Sequence, residues 1–320
     1  MIRLSAFADE ISANLDEQIA VLRSENIHFI DLRGAWDTNV LDLTDQQVTE
    51  IKQKLDAHGI GVSAIASPIG KVPIDTPFNE HLRRFERAIA LAQLFRTPFI
   101  RIFSFYPPAA KEHVSTYTQA ADVESNTSVP TQINTTTAHM RDANDANVTS
   151  GEKDVVDPAR WRDEVLRRLR ELTIQARNAN LILLHENEKD IYGDTIARCT
   201  DLLQSMNDPH FQAILDPANF IQCEQTPYPD AYLELRPWLR YMHVKDALVD
   251  GTVVAAGEGV ARCPKSYSNC IPMAMKAFSH WSLTLPFPGN TRVLVVQIYF
   301  TMPHKPCKTC YSQWIGNMNS

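Results

Sequence analysis

The sequence predicts an α/β protein of the (β/α)8 TIM-barrel class, in which the native eighth strand is missing or replaced by an aberrant tail. Three observations carry this prediction. Seven short apolar runs recur along the chain, helical patterns separate them, and the alternation stops after Gly259. Near-continuous apolar runs are typical of strands buried on both faces of a parallel sheet. A doubly wound open sheet is the alternative, but no Gly-rich phosphate turn follows an early strand.

The predicted strands are the seven apolar runs, at 2–8, 28–34, 61–67, 98–106, 181–188, 211–219 and 239–247. Helical patterns occupy the segments 44–58, 157–178, 195–206 and 229–236. The first helix begins with Thr44 and Gln47 in capping-box spacing, and the second with Asp157 as cap before Pro158. Strands that alternate with helices predict a parallel sheet, and seven such units approach a complete barrel.

Two stretches break this alternation and define the predicted domain organisation. Residues 1–259 form the barrel, interrupted by an insertion at 109–155 that is rich in Ser, Thr, Asn and Asp. The insertion is expected to be disordered, or to act as a lid, because a loop after a strand opens on the catalytic face. Residues 260–320 form the aberrant tail, in which Cys307 and Cys310 make a CxxC without a second ligand pair.

Composition and charge limit the classes of partner. The formal net charge is −7 and no basic block occurs, which argues against nucleic acid because phosphate binding requires clustered Lys and Arg. The first residues, MIRLSAFADEIS, contain no long apolar run, and no other stretch is long and apolar enough to span a bilayer. We therefore expect a cytoplasmic protein with a small-molecule partner and no membrane partner, for which homo-oligomer formation is left open.

Polar side chains follow three of the late strands. Glu186 comes near the end of strand five, Asp216 ends strand six and His243 ends strand seven. Strand ends on one face of a barrel converge on one pocket, so these side chains form an oxygen- and nitrogen-rich site that suits Mn²⁺, Mg²⁺, Co²⁺ or Zn²⁺. An ionised carboxylate at Glu186, directly after the apolar LILL, also needs a cation or a donor to offset its burial.

Other polar residues at these strand ends have both a structural and a functional interpretation. His185 is either a satisfied core histidine or a group that contacts the substrate. Lys245 either pairs with its neighbour Asp246 or acts on the substrate. Arg33 lies at the end of predicted strand two and Asn219 at the end of predicted strand six, where side chains also point toward the predicted pocket.

Three segments, LILLHENEKDIYGDT, ILDPANF and MHVKDA, occur in this order at the spacing of successive barrel strands. Together they resemble the xylose isomerase-like barrels of the sugar phosphate isomerase/epimerase superfamily, over residues 2–108 and 156–259. The resemblance implies one divalent metal held by Glu, Asp, His and Glu from strands five to eight. Glu186, Asp216 and His243 match the first three ligands. No residue matches the fourth, which should follow the segment GEG.

The resemblance also implies the chemistry, which belongs to sugar metabolism. Such enzymes act on small sugars or hydroxy-ketones, where the metal stabilises an enediolate and its carboxylate ligands move the proton. Glu186, Lys245 and His185 are then the predicted catalytic residues, and Arg33 and Asn219 the predicted substrate-binding residues. A dehydratase of an inosose or dehydroshikimate-like substrate begins with the same proton abstraction, so this alternative stays open. An apurinic-site endonuclease shares the barrel, but the acidic charge and the few histidines count against it.

The tail is interpreted as the family sequence read in the wrong frame. Restoring one base just after Gly259 lets the next codons read DGQVPEI, which continues GEG as in the family. Farther on, each codon of the shifted frame spans two codons of the given frame, and the genetic code leaves little freedom. The shifted codon across Met273 and Ala274 must encode Gly, the one across Met275 and Lys276 must encode Glu, and the one across Trp281 and Ser282 encodes Glu or Val. The hidden frame thus permits DGYEGFLSLEPH, which resembles the family's eighth strand with its metal-binding Glu.

Loss of that strand has two expected consequences for the chain as written. The fourth metal ligand is absent, so a further alternative is a catalytically dead product of a damaged gene. Strands one and seven also lack the native neighbour that separates them, and unpaired strand edges favour aggregation. The β-prone run RVLVVQIYF at 292–300 is the candidate to fill this gap, although its register has not been selected.

Overall fold

The structure, a computed structural model, describes residues 2–108, 160–261, 284–287, 290–293 and 296–300. The predicted insertion at 109–155, the cap Asp157, the CxxC of Cys307 and Cys310 and most of the tail lie outside these residues. The division of the chain at residue 259 stays a prediction. Among the described helices, none combines the length and the apolar character that a membrane span requires.

Eight strands form a closed barrel, and seven of them are the predicted apolar runs. Strands β1 to β7 span Ile2–Ala6, Phe29–Leu32, Gly61–Ile65, Phe99–Ile102, Ile182–Glu186, Phe211–Leu215 and Leu239–Val244. Each of these strands pairs in parallel with the next one along the chain. The TIM-barrel prediction is confirmed, and the doubly wound alternative is wrong because the sheet closes on itself in chain order.

The eighth strand, β8, is Val296–Phe300, and it closes the barrel between β7 and β1. It runs antiparallel to both neighbours, because Val296 pairs with Ala6 and Val244 at the carboxyl ends of β1 and β7. In a regular (β/α)8 barrel all eight strands are parallel. The apolar run at 292–300 therefore supplies the strand that fills the gap, in the reversed direction, and β1 and β7 are both paired.

Helices α1 to α7 span Leu15–Ser24, Asp45–Ala57, Phe78–Phe95, Trp161–Asn178, Ile196–Met206, Pro217–Gln222 and Tyr232–Leu235. Shorter helical turns lie at Ala8–Glu10, Tyr192–Asp194 and Pro227–Ala231. Two-residue and four-residue strands form three small ribbons, Gly34–Ala35 with Thr38–Asn39, Asp246–Ala247 with Val253–Val254, and Thr284–Phe287 with Asn290–Val293.

Local sequence explains most helix boundaries. The hydroxyl of Thr44 accepts a hydrogen bond from the main-chain N–H of Gln47, whose side chain accepts one from the N–H of Thr44. The predicted capping box at the start of α2 is therefore confirmed. The predicted helices omit α1 and α3, although Asn14 caps α1 through its side chain and α3 carries an apolar face.

The prediction placed the end of the sixth strand at Asn219, and this was wrong. Strand β6 ends at Leu215, because helix α6 begins at Pro217. Asp216 is the cap of α6, and its side chain accepts the main-chain N–H of Asn219 at 3.1 Å. Pro217 takes the first helical position, where its missing N–H has no intrahelical partner to lose. Asp216 therefore lies at the point where β6 turns into a helix, directly on the carboxyl end of the barrel.

The barrel interior is packed beneath this carboxyl end. One buried layer consists of side chains from successive strands, namely Ala64, Phe99, Leu184, Ile214 and Tyr241. In the same region Asp31 is buried and accepts hydrogen bonds from the hydroxyls of Tyr241 at 2.8 Å and Ser5 at 2.9 Å. Burial raises the pKa of Asp31, and these hydroxyls oppose part of that rise. The site at the strand ends therefore has a packed floor.

A buried arginine connects α4 to the segment that precedes α3. Arg168 is fully buried, its Nε donates to Glu164 at 2.8 Å, and its Nη1 donates to the carbonyl oxygen of Thr76 at 2.9 Å. Arg168→Ala is expected to lower the free energy of unfolding by about 3–5 kcal/mol, because it leaves a cavity and breaks a buried ion pair.

Arg167→Ala is the matched control for this prediction. Arg167 binds the same carboxylate of Glu164 but has a 56% exposed side chain, so its loss is expected to cost about 0–1 kcal/mol. Urea unfolding followed by circular dichroism measures both changes. Equal losses of unfolding free energy in the two variants would contradict the prediction that the buried Arg168–Glu164 pair stabilises the fold more than the exposed Arg167–Glu164 pair.

A buried histidine on α3 makes the stability of the fold depend on pH. His81 accepts a hydrogen bond on Nε2 from the main-chain N–H of Gly70 at 3.0 Å. Gly70 has a φ of +89°, and a Cβ there would lie 2.1 Å from the carbonyl oxygen of Phe103, so only glycine fits. Burial lowers the pKa of His81 to about 3, and the charges of Arg168 and Arg84 add to this effect.

The native protein therefore keeps His81 neutral, whereas the unfolded chain protonates it near pH 6.5. The stabilisation is complete above about pH 6.5 and is lost as the pH falls toward 3, by about 1.4 kcal/mol per pH unit. His81→Gln, which retains an acceptor for Gly70, is expected to lose stability less steeply between about pH 6 and pH 4. Urea unfolding across this range tests the prediction, and parallel curves for the two proteins would contradict it.

Candidate metal centre

Three buried side chains from β5, β6 and β7 meet at the carboxyl end of the barrel. Glu186 is the last residue of β5, Asp216 follows β6 and His243 is the second-to-last residue of β7. His243 Nδ1 is 3.1 Å from Glu186 Oε1 and 3.0 Å from Asp216 Oδ2. One ligand atom from each residue lies within 4.8 Å of the other two. The structure thus brings together the three residues predicted to hold a metal, which we call the ligand cluster.

The atoms of the ligand cluster fit a divalent cation. Two carboxylate oxygens and one imidazole nitrogen converge, and this combination suits Mn²⁺, Mg²⁺, Co²⁺ or Zn²⁺. Each carboxylate uses its other oxygen elsewhere: Glu186 Oε2 accepts from Arg101 at 3.1 Å, and Asp216 Oδ1 accepts from the N–H of Asn219. These outer contacts orient the oxygens that face the cluster.

Electrostatics keep both carboxylates of the cluster ionised. Burial raises the pKa of Glu186, but the charges of His243 and Arg101 outweigh it and hold that pKa well below 4.5. Burial likewise raises the pKa of Asp216, and the charges of Lys245 and His243 bring it below its usual value. Burial lowers the pKa of His243, whereas Glu186 and Asp216 raise it to about 9. A proton on His243 thus lies between the carboxylates, where a cation would replace it.

Lys245 extends from the end of β7 into the same cluster. Its Nζ donates to Asp216 Oδ2 at 2.8 Å, and its side chain is 18% exposed. The charge of Asp216 opposes the effect of burial and raises the pKa of Lys245 above its usual value. Asp246, the other partner considered from the sequence, instead accepts three main-chain N–H groups of its own loop, from Ala247, Gly257 and Ala261.

Asn187 and Asn219 hold the loops after β5 and β6 together. Asn187 Nδ2 donates to the carbonyl oxygen of Asp216 at 2.9 Å, and its Oδ1 accepts the N–H of Asp216 at 2.8 Å. Asn219 Nδ2 donates to the carbonyl oxygen of Asn187 at 2.9 Å. The buried amide of Asn219 therefore stabilises the loops that carry the cluster. Contact between Asn219 and the substrate stays a prediction.

His185 lies on the face of β5 opposite to Glu186, since successive side chains of a strand alternate. Its ring stacks on Phe211 with 6.0 Å between centroids, and it packs so closely on Gly193 that a Cβ there would lie 2.4 Å from the ring. Burial lowers the pKa of His185 to about 4. The structure does not bring His185 to the ligand cluster, because the strand directs its ring toward Phe211 and the turn at Gly193 instead.

A family model described as a xylose isomerase-like TIM barrel matches residues 19–265, which include the whole ligand cluster. The chain belongs to this family. A search of curated proteins finds no relative of the chain.

Solved structures share the fold of this xylose isomerase-like barrel at low sequence identity. A probable 3-DHS dehydratase from Bacillus anthracis has a TM-score of 0.58 at 16% identity, over 86% of this chain and 89% of that one. A xylose isomerase-like TIM barrel protein from Mycobacterium smegmatis, solved in complex with magnesium, has a TM-score of 0.52 at 20% identity, over 81% and 77%. A D-tagatose 3-epimerase-like protein has a TM-score of 0.56 at 12% identity, over 84% of each chain.

Two arginines and a phenylalanine lie beside the ligand cluster of this xylose isomerase-like barrel. The guanidinium carbons of Arg33 and Arg101 are 4.6 Å and 5.1 Å from the centre of the Phe7 ring. Phe7 packs edge-on against His243 with 5.2 Å between centroids. Arg33 is 30% exposed, so the predicted substrate-binding residue lies on the accessible side of the cluster. No role of Arg101 or Phe7 was predicted from the sequence.

Strand β8 of this xylose isomerase-like barrel contains none of the usual ligand residues. Its sequence is VQIYF, which has no carboxylate and no imidazole. Gln297 is the residue of β8 that pairs with His243 in the sheet. The described part of the tail thus closes the barrel without adding a third carboxylate to Glu186 and Asp216.

Proposed function

We propose that this protein is a divalent-metal-dependent isomerase or epimerase of a small sugar or hydroxy-ketone, with activity impaired in the chain as written. The convergence of Glu186, Asp216 and His243 at the carboxyl end of a barrel of this family carries the proposal. A bound divalent cation supplies a Lewis acid that stabilises negative charge as it develops on substrate oxygens.

We assign the proton transfer in this reaction to Glu186. Its carboxylate is ionised and buried at the end of β5, so it can accept a proton from the carbon next to a substrate carbonyl. Arg101 holds one of its oxygens and leaves the other directed at the cluster. Lys245 reaches the cluster from β7, and its ammonium group, which carries three donors, is suited to a substrate oxygen.

The composition of β8 supports the proposal that the catalytic activity of this chain is impaired. The family resemblance implies a second carboxylate from strand eight, which takes part in proton transfer on the other side of the substrate. VQIYF offers no such group, so Glu186 is left to exchange a proton without the partner that completes epimerisation. We expect proton exchange in this chain to be faster than net conversion.

The test is incubation of the metal-loaded chain with a panel of ketoses in D₂O, followed by NMR. Deuterium at the carbon next to the carbonyl, with or without a new epimer, supports the proposal, whereas loss of water indicates a dehydratase. Glu186→Gln is expected to slow exchange by about 100-fold or more. Glu50→Gln, an exposed change on α2, is the control. Absence of exchange in both this chain and a frame-restored chain would overturn the proposal.

A further inference from the structure

We propose that the site takes an uncharged polyhydroxy ketone or aldehyde rather than a phosphorylated or carboxylated one, and that Asp9 and Glu10 set this preference. The inference rests on the proposed function and chooses among the substrates that it leaves open. It is based on how the charges beside the ligand cluster are paired.

Two cations are bound to the carboxylates of the cluster itself. Arg101 lies 3.1 Å from Glu186 Oε2, and Lys245 lies 2.8 Å from Asp216 Oδ2. Both pairs are buried or nearly so, and breaking such a pair leaves a charge without compensation. An anionic substrate group that drew either cation away from its carboxylate would therefore disturb the groups that hold the metal, whereas a substrate hydroxyl can accept from a remaining donor of Lys245 with its pair to Asp216 intact.

A third cation, Lys71, lies beside the cluster over the ring of Phe103, on which Arg101 also lies. Its Nζ is 2.7 Å from a carboxylate oxygen of Glu188, which follows β5. Lys71 is thus also paired, and Glu188 places a further negative charge on this side of the site.

Arg33 is the cation that a phosphate group would be expected to use, because guanidinium binds phosphate through paired N–H groups. In the structure those groups are directed at two carboxylates of the turn after β1. Arg33 Nε donates to Asp9 Oδ2 at 2.6 Å, and Arg33 Nη2 is 3.2 Å from Glu10 Oε1. A phosphate at Arg33 would have to displace one carboxylate or lie beside both.

The charges in this set sum to a small negative value. His243 is neutral once a cation has replaced its proton, and five carboxylates then face four cationic side chains, which leaves one formal negative charge on the protein groups. A divalent cation changes this to one positive charge, which suits a neutral substrate that becomes negative as it loses a proton. A phosphate adds two further negative charges that the set does not match, whereas hydroxyls donate to carboxylates and accept from cations.

Isothermal titration calorimetry on the full, metal-loaded chain tests this inference. The probes are D-fructose and D-tagatose, each with its 6-phosphate. We expect a free ketose to bind at least about 10-fold more tightly than its phosphate, because a phosphate at Arg33 must displace the carboxylates of Asp9 and Glu10 or lie beside them. Asp9→Asn/Glu10→Gln is expected to move this ratio at least about 10-fold toward the phosphate. The control Asp45→Asn/Glu50→Gln makes the same charge change on the exposed surface of α2 and leaves the ratio unchanged.

The outcomes separate this inference from the proposed function. If a phosphorylated ketose binds as tightly as its free form, or more tightly, the inference is overturned and the proposed function stands. If no ketose binds either to this chain or to the frame-restored chain, although both bind metal, the inference and the proposed function are both overturned. The comparison of the two ligands on the unaltered chain needs no variant, so misfolding of a variant does not decide the result.

Discussion

Asp216→Asn is expected to weaken divalent-metal binding by about 100-fold or more. The substitution preserves the shape of the side chain and its ability to cap α6, but it removes the charge and the oxygen that face His243. Changes to residues outside the ligand shell already cost about 10–100-fold in metal affinity, so loss of a ligand lies at or beyond that limit. Titration of the purified chain with Mn²⁺ in a calorimeter measures the effect.

Asp42→Asn is the matched control for this measurement. Asp42 is an exposed carboxylate that binds Arg84 at 2.8 Å, and it lies in the loop that precedes α2. Its replacement is expected to leave metal affinity unchanged. Circular dichroism on Asp216→Asn checks that the fold survives although Lys245 loses its partner. Equal Mn²⁺ affinity in Asp216→Asn and the unaltered chain would rule out this cluster as the metal centre.

Restoring one base after Gly259 is expected to tighten metal binding by at least about 10-fold, because the restored segment supplies a fourth ligand. We propose that the coding sequence lacks this base, and reading the coding DNA around Gly259 checks it directly. The restored chain is also expected to have a parallel eighth strand in place of Val296–Phe300. Calorimetry with Mn²⁺ compares the restored chain with the chain as written.

A second restored chain separates the strand from its ligand. It carries Gln instead of Glu at the metal-binding position of the restored strand, so it has the native strand without the carboxylate of the fourth ligand. We expect its metal affinity to fall back toward that of the chain as written. If both restored chains bind Mn²⁺ no better than the chain as written, the reading-frame hypothesis loses its functional support, whatever the DNA shows.

The strands of the barrel were predictable because their burial on both faces leaves a continuous apolar run in the sequence. The direction of β8 was not predictable in the same way. An apolar run such as VQIYF has the same alternation in either direction, and only the connection to the preceding element decides how it enters the sheet. The ends of strands were the least certain feature, as the turn from Leu215 into α6 shows.

The ligand cluster was predictable from strand-end residues and from the resemblance, but its supporting contacts were not. Arg101 lies within an apolar run, and nothing in the sequence says that its partner is Glu186, which comes 85 positions later. The loop contacts of Asn187 likewise depend on how β5 and β6 approach each other. The outward position of His185 could have been predicted. Two adjacent residues of a strand cannot both face the barrel interior, and Glu186 is the one that faces it.

The outer contacts of the two carboxylates also bear on which cation the cluster selects. One oxygen of Glu186 is held by Arg101, and one oxygen of Asp216 is held by the start of α6, so each side chain presents a single oxygen. Ca²⁺ usually binds six to eight oxygens and often coordinates both oxygens of one carboxylate. Zn²⁺ usually has four ligands, and Mg²⁺ retains several water ligands. We therefore expect the cluster to favour small cations over Ca²⁺, a selectivity that would arise from a helix cap and an arginine rather than from the ligands themselves.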